Sequence, residues 1–354
     1  MKTFLIVAAV SPLARDAMSI AMIADIPGLT IVRHDMEPDR PGELKRTIAT
    51  ATGVAESCWL LPDDPCPTCG LAEDVLRTAA AVPPGPVAFV LPVGAATAGL
   101  ARRLTTATEA AAPLAASRFA GVTAVCDPAT FEHDLLGDDL LRERGQHLYE
   151  GDDRSVGEVL ASITEHADFV VTLDGDHERG SALIDLIRAD DSHRMDDLMR
   201  HDLSAMFQHT HHPAAGHRRF DPLCVPESPK SGAAGAWRMT LSTDRPFHPS
   251  RLRRHLTELG GGRIRSRGHF WLPTRPFTAC AWDGAGGQLS IGPLDDWRGT
   301  PPGTRLSFVG VGPGRDQVVA AFDDAVVTAA EESAEWSHWM EVTDDFDPWL
   351  GERG

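Results

Sequence analysis

"FLIVAAVSPLARDAMSIAM" (Phe4–Met22) decides how the first half of this chain is read. Its first seven residues form a continuous apolar run, the signature of a strand buried on both faces. After Ser-Pro the sequence becomes helix-compatible. Five further apolar runs repeat the pattern: "LTIVRHDM" (29–36), "SCWLLP" (57–62), "VAFVLP" (87–92), "GVTAVCD" (121–127) and "FVVTLDGD" (169–176). Strands alternating with helices predict an open α/β fold with a mostly parallel sheet. Ligands of such sheets sit beyond the carboxyl ends of the strands.

The same stretch lacks what a nucleotide-hydrolysing α/β domain needs. Such a domain follows its first strand with a glycine-rich loop whose N–H groups cradle phosphates, a lysine for the outer phosphates and a hydroxyl for magnesium. Here there is no glycine, Pro12 removes a backbone donor, and the next lysine after Lys2 is Lys45. "FVVTLDGD" ends in Asp174 and Asp176 without an Asn-Lys pair to read guanine. The turn reads as an ordinary strand-to-helix connection, GTP is not expected to bind, and no GTPase activity is expected.

The 354 residues are enough for two domains with a core each. A net charge of −18 argues against coating DNA or RNA by bulk electrostatics and leaves room for a local basic patch or a basic protein partner. No apolar stretch reaches the roughly 18 residues of a membrane span, and Met1–Val10 does not read as a signal peptide. Six cysteines (Cys58, Cys66, Cys69, Cys126, Cys224, Cys280) are too few for a disulfide scaffold, so a reducing cytoplasm is expected. Only Lys2, Lys45 and Lys230 are lysines, which removes most candidates for lysine chemistry.

Residues 1–200 therefore read as the α/β domain. Residues 201–235, rich in His, Pro, Gly and Ser, read as a linker. From 236 to 330, "AWRMTLST", "GHFWLP", "FTACAWDG", "GQLSIG" and "TRLSFVGVG" alternate with helix candidates at "HPSRLRRHLTEL" and about 314–327, a small α+β domain. Residues 331–354 form an acidic tail with interspersed Trp and Phe, whose tryptophans could anchor on a partner and are expected to dock on the parent domain.

After the third apolar run, "CPTCGLAEDVL" places Cys66 and Cys69 at the start of a helix, on the sheet's functional edge. Two thiolates at this spacing supply half of a tetrahedral zinc site. The same pattern suits a redox couple, because a helix N-terminus lowers thiol pKa values. An inert remnant is the third reading.

The order of parts resembles the CobW family of P-loop GTPases and zinc metallochaperones, in its actinobacterial branch. Cys66 and Cys69 stand in the outer positions of the family's Cys-x-Cys-Cys segment, with Thr68 in place of the middle cysteine. "RPFHPSRLRRHL", "RIRSRGHFWLPTRP", "AWDGAGG" and "RLSFVGVG" resemble its C-terminal domain, and "GVTAVCDPATFEHDL" and "HADFVVTLDGD" resemble strands that end near the nucleotide in active members. The resemblance implies a P-loop-NTPase-like first domain whose nucleotide site is degenerate, followed by the CobW C-terminal domain. A degenerate loop with a CPTC segment further resembles the branch members that bring a hibernation-promoting protein to the ribosome in zinc-starved cells.

Two further clusters are candidates. His209, His211, His212 and His217, with Cys224 downstream, could bind zinc or be a solvated segment that holds metal loosely. Residues 245–275 carry eight arginines against one acid, Glu258. Arg263, Arg265 and Arg267 with Phe270 and Trp271 could contact ribosomal RNA, or the arginines could pair with local acids. The functional expectation is a non-catalytic, zinc-responsive adaptor, with regulatory Zn2+ on Cys66 and Cys69 and a basic hibernation-promoting protein as partner. The alternatives are a zinc metallochaperone and a thiol oxidoreductase.

Overall fold

The alternation read from the first half becomes an eight-stranded sheet. In the computed structural model the chain is described except for residues 38–39, 41, 62–65, 226–229, 231, 295, 333–338, 340–342 and 353–354. It divides into two units, one of Met1–Phe131 with Asp139–Phe220, the other of Glu132–Asp138 with Asp221–Gly354.

In chain order the first half runs β1 (Lys2–Ala8), α1 (Pro12–Asp25), β2 (Thr30–Asp35), β3 (Leu44–Thr50), β4 (Gly53–Leu60), α2 (Pro67–Ala81), β5 (Gly85–Val90), α3 (Ala98–Thr108), β6 (Ser117–Cys126), α4 (Phe131–Leu136), α5 (Val156–His166), β7 (Phe169–Thr172), α6 (Glu178–Ile187) and β8 (His193–Met195). The strand order is β4-β3-β2-β5-β1-β6-β7-β8. β1 pairs in parallel with β5 and β6, and β2 with β5, as continuous apolar runs require. Phe4, Leu5, Ile6 and Val7 are wholly buried. Each such side chain contributes about 1.5–3 kcal/mol of hydrophobic stabilisation.

The third run differs from expectation. "SCWLLP" belongs to β4, an exposed edge strand antiparallel to β3, which is itself antiparallel to β2. β3, "LKRTIAT", carries Lys45, Arg46 and Thr47 in its middle and so gives no apolar run. Two antiparallel steps still leave β4 pointing the same way as β2, and Leu60 lies across from Leu44 beside the end of β2. The Cys pair therefore does follow a strand that ends at the carboxyl edge.

Residues 201–220, expected within the linker, belong to the first unit. They form a 3-10 turn, Leu203–Gln208, and α7 (Pro213–Phe220), with Leu203, Met206 and Phe207 in the core beneath α1 and β6.

The second unit is a five-stranded antiparallel sheet, β12-β11-β10-β13-β9. It comprises β9 (Ala236–Thr243), α8 (Pro249–Arg254), β10 (Ile264–Phe270), β11 (Cys280–Ala285), β12 (Gln288–Pro293), β13 (Thr304–Val311) and α9 (Arg315–Ala325). Its core gathers Phe247, Phe270, Trp282, Phe308 and Phe322. Gly268 is where β13 comes closest, since a Cβ there would meet the Arg305 carbonyl oxygen at 2.0 Å. The tail docks as expected: Phe346 and Leu350 enter this core, and Trp339 is buried against His248.

Candidate functional site: two thiols at a helix start

β1 passes to α1 through only three residues, Ala9, Val10 and Ser11. Ser11 caps the helix by accepting the Ala14 N–H at 3.2 Å, and Pro12 follows in the first turn. The guanidinium of Arg15, buried in that first turn, donates to the Leu91 carbonyl at 3.2 Å and pairs with Asp35 at 2.8 Å. Arg33 extends the network to Asp35 at 2.9 Å and Asp16 at 2.6 Å. Burial pushes the Asp35 carboxyl up, but hydrogen bonds from Arg33 and the charge of Arg15 outweigh it and hold the group below the ordinary carboxylate range. Internal ion pairs thus fill the edge beside α1. Asp174 and Asp176 stand exposed beyond β7.

Cys66 is the residue before α2, with extended backbone at φ −81° and ψ 112°, and its carbonyl accepts the Gly70 N–H at 3.0 Å. Its side chain is exposed, and that of Cys69 is half-buried. The Thr68 hydroxyl lies 3.1 Å from the Cys66 sulfur. Hydrogen bonding from Thr68, then from the Cys69 backbone and thiol, holds the Cys66 thiol below its ordinary pKa. From α3, Arg103 directs Nη2 at the Cys69 sulfur from 3.8 Å. The other thiols differ: burial pushes Cys280 up to about 12, and burial followed by the Glu56 carboxylate raises Cys58.

The helix that carries the pair is anchored along its length. Asp74, almost wholly buried, meets His34 Nε2 at 2.8 Å and receives Arg46 Nη1 at 2.6 Å. Arg46 also binds Glu56 of β4 at 2.6 Å, and the Cys58 thiol donates to that same carboxylate at 3.3 Å. At the other end, Lys2 Nζ donates to the Ala79 and Ala80 carbonyls at 2.9 and 2.6 Å, satisfying orphan acceptors of the last turn. His34, Arg46 and Asp74 carried no motif. The one signal available in sequence was polar residues at positions that burial would otherwise reserve for apolar ones.

As a test of metal fit, Cys66 and Cys69 bring two soft donors to one helical turn. Among the described residues no group of three or more His, Cys, Asp or Glu is gathered to hold an ion. Residues 62–65, which lead into the turn, lie outside the described residues. A closed tetrahedral zinc site takes four donors, of which two thiols would be half.

The histidines of 209–217 do not converge. His209 Nδ1 donates to the Ala120 carbonyl at 2.7 Å, and its ring lies edge-on to Phe169. His211 is buried, with Nδ1 2.8 Å from Asp168, whose other oxygen accepts Arg219 at 3.0 Å. His212 and His217 are exposed on α7 and its approach. Cys224 is half-buried in the second unit. Burial, then the neighbouring His211, lowers His166 to about 3. Burial pushes Asp168 up, but its hydrogen bond with His211, then the His211 charge, bring it down to about 2. A linker reading weighs composition; here the imidazoles pack as flat rings against Phe119, Phe169 and Phe220.

The RNA-facing reading of 245–275 is corrected in the second unit. Phe270 is wholly buried and Trp271 nearly so, leaving no ring face for a base. Arg265 is buried and paired with Asp283. Arg263 is exposed, 3.8 Å from Glu132, and Arg267 is half-buried. Acids from far along the chain meet four of the others: Glu331 binds Arg251, Asp345 binds Arg253, Asp324 binds Arg254, and Asp344 with Asp347 binds Arg275, while Arg245 donates to the Val327 carbonyl.

Residues 237–326 match the family described as the cobalamin synthesis protein cobW C-terminal domain. The zinc chaperone Rv0106 of Mycobacterium tuberculosis is 33% identical over 69 residues, 20% of this chain and 17% of that protein. The uncharacterized protein Mb0109 of Mycobacterium bovis matches to the same extent. The chain thus spans under a fifth of the length of these curated relatives. The crystal structure of Zn(II)-bound YjiA GTPase from E. coli aligns over 92% of this chain and 99% of that one, at 13% identity and a TM-score of 0.38. From residue 237 to residue 326, therefore, the antiparallel sheet and helices of the second unit are similar to the cobalamin synthesis protein cobW C-terminal domain.

Proposed function

We propose that this chain is a zinc-responsive, non-hydrolytic protein of CobW type, in which Zn2+ on Cys66 and Cys69 selects between two states. One observation carries the reading: two thiols meet on the first turn of α2, while the β1–α1 turn is three residues long, has no glycine and is closed by Arg15. A triphosphate needs a ring of backbone donors at that turn, and a three-residue connection without glycine, followed by Pro12 with no N–H, supports a reading in which none is bound. Zinc needs thiolates, and the Thr68 hydroxyl and the helix start favour one at Cys66. Two thiolates are half of a closed tetrahedral shell, which suits an exchangeable ion better than a structural one.

The finer proposal is that the zinc-free state recruits a basic hibernation-promoting protein to the ribosome. Its support is the net charge of −18 and the motif resemblance, while the buried Phe270 and Trp271 withdraw a ribosomal RNA platform on β10. Zinc selects a state only if the two states bind it with different affinity. The second reading, a zinc chaperone delivering metal to clients, is favoured by the likeness to Rv0106 over 69 residues.

The test is a zinc titration of the reduced chain against a chromophoric chelator, followed by ribosome and partner capture with and without zinc. Cys66→Ser and Cys69→Ser are each expected to weaken zinc binding about 100-fold or more, and GTP with magnesium to leave it unchanged. Capture indifferent to zinc and to Cys66→Ser removes the adaptor reading; zinc passed to an acceptor protein in a GTP-dependent step favours the chaperone.

A further inference from the structure

Beyond holding metal, the turn at Cys66 has the parts of a dithiol–disulfide couple. All six cysteines are thiols, and Cys66 is the exposed one. Cys126 and Cys280 are buried, and Cys58 is held on β4 by Glu56. Cys69, three residues on, is half-buried, and its thiol lies within hydrogen-bonding reach of the Cys66 sulfur. Thiol exchange needs access for the sulfur that attacks first and proximity for the one that attacks second. These two cysteines divide those roles. Arg103 adds a third part: its guanidinium stands 3.8 Å from the Cys69 sulfur and donates to it, which fixes where that sulfur sits.

We propose that Cys66 and Cys69 form a reversible intramolecular disulfide by exchange with a low-molecular-weight disulfide, that Arg103 positions Cys69, and that the oxidised form releases zinc. The Cys66 thiolate attacks one sulfur of the external disulfide RSSR. The S–S bond breaks, RS⁻ leaves and takes a proton from solvent, and a mixed disulfide forms on Cys66. Cys69 gives its proton to solvent and attacks the Cys66 sulfur, and the second RS⁻ leaves. Two protein thiols are oxidised to one disulfide, and one RSSR is reduced to two RSH. The disulfide offers no thiolate to Zn2+, so oxidation and metal occupancy exclude each other. The exclusion rests on the zinc reading above; the exchange chemistry does not.

The test incubates the reduced full-length chain, with chelator, in mixtures of oxidised and reduced glutathione, then alkylates and maps the thiols by mass spectrometry. Wild type is expected to lose two hydrogens in a Cys66–Cys69 linked peptide and to recover them with dithiothreitol. Cys69→Ser is expected to accumulate glutathione on Cys66, and Arg103→Met to resolve the mixed disulfide several-fold more slowly. A wild-type chain that stops at the glutathione adduct, or reacts first at another cysteine, overturns the proposal. Zinc binding by the reduced chain without disulfide formation sinks the couple and leaves the zinc reading standing. A disulfide in a chain whose reduced form binds no zinc keeps the couple and sinks the exclusion.

Discussion

The Cys66–Cys69 turn and the arginines of 245–275 stand out in the sequence for the same reason, a local excess of one chemistry. They end differently. The thiols stay at a helix start with one of them exposed, and Thr68 and Arg103 stand within hydrogen-bonding reach of their sulfurs. Five of the arginines are met by acids 18 to 92 residues away in the chain, and the two aromatic residues beside them lie in the core. A cluster in sequence is a site only when distant residues leave it open. Charge read within a window of thirty residues cannot see the partner that folding brings.

The largest expected effect tests how fully that second region is closed. Arg275 and Asp344 have side chains 4% and 1% exposed, joined at 2.9 Å, with Thr274 donating to the same carboxylate at 2.7 Å. Arg275→Met leaves Asp344 buried without its cation and is expected to lower unfolding stability by about 3–5 kcal/mol. Urea unfolding followed by tryptophan fluorescence measures it. Adding Asp344→Leu is expected to recover much of the loss, because a buried pair replaced by apolar residues is close to neutral. A midpoint unmoved by Arg275→Met would show the tail to be loosely laid and the arginines available after all.

A smaller effect lies in the first unit and is read by pH. His166 is lowered to about 3 by burial and by His211, so between pH 6.5 and 3 the unfolded chain binds a proton there that the folded chain does not. Stability from this group is complete above about pH 6.5 and falls with acidification by up to about 1.4 kcal/mol per pH unit. Asp168, lowered to about 2, adds stability that is present above its unfolded pKa and is lost as pH falls from about 3.8 through 2. His166→Gln, which can keep a hydrogen bond to Thr97, is expected to flatten the upper part of that profile. A slope unchanged by the substitution places the acid sensitivity elsewhere.

The architecture was legible because hydrophobic periodicity is local. β1, β2, β5, β6 and β7 each overlap an apolar run, and every strand of the second unit overlaps a quoted segment. β3 was missed because Lys45 and Arg46, adjacent in sequence, put a basic residue on each face of the strand, so that neither face reads as apolar, and their partners Trp59 and Asp74 lie elsewhere in sequence. Residues 201–220 were missed because His and Pro are counted as loop formers, whereas His209 and His211, each with Nδ1 hydrogen-bonded, pack as flat rings against Phe169 and Phe119. The pair at Cys66 was legible from spacing alone, while Arg103 and the anchoring triad of His34, Arg46 and Asp74 were not, since each is positioned by a different element.

The smallest expected effect sharpens the comparison from the other side. Arg253 pairs with Asp345 at the surface, with side chains 45% and 59% exposed, on the same stretch of sequence as Arg275. Both arginines meet acids of the tail, so a stability argument made by counting ion pairs would rank them alike. Solvent screens the exposed pair, and holding two long side chains in one geometry costs entropy, so Arg253→Ala is expected to change stability by less than about 1 kcal/mol. Raising the salt concentration is expected to erase that difference and leave the effect of Arg275→Met nearly intact. If the two substitutions instead cost the same, burial is not what closes this face, and the contrast with the open thiols loses its physical basis.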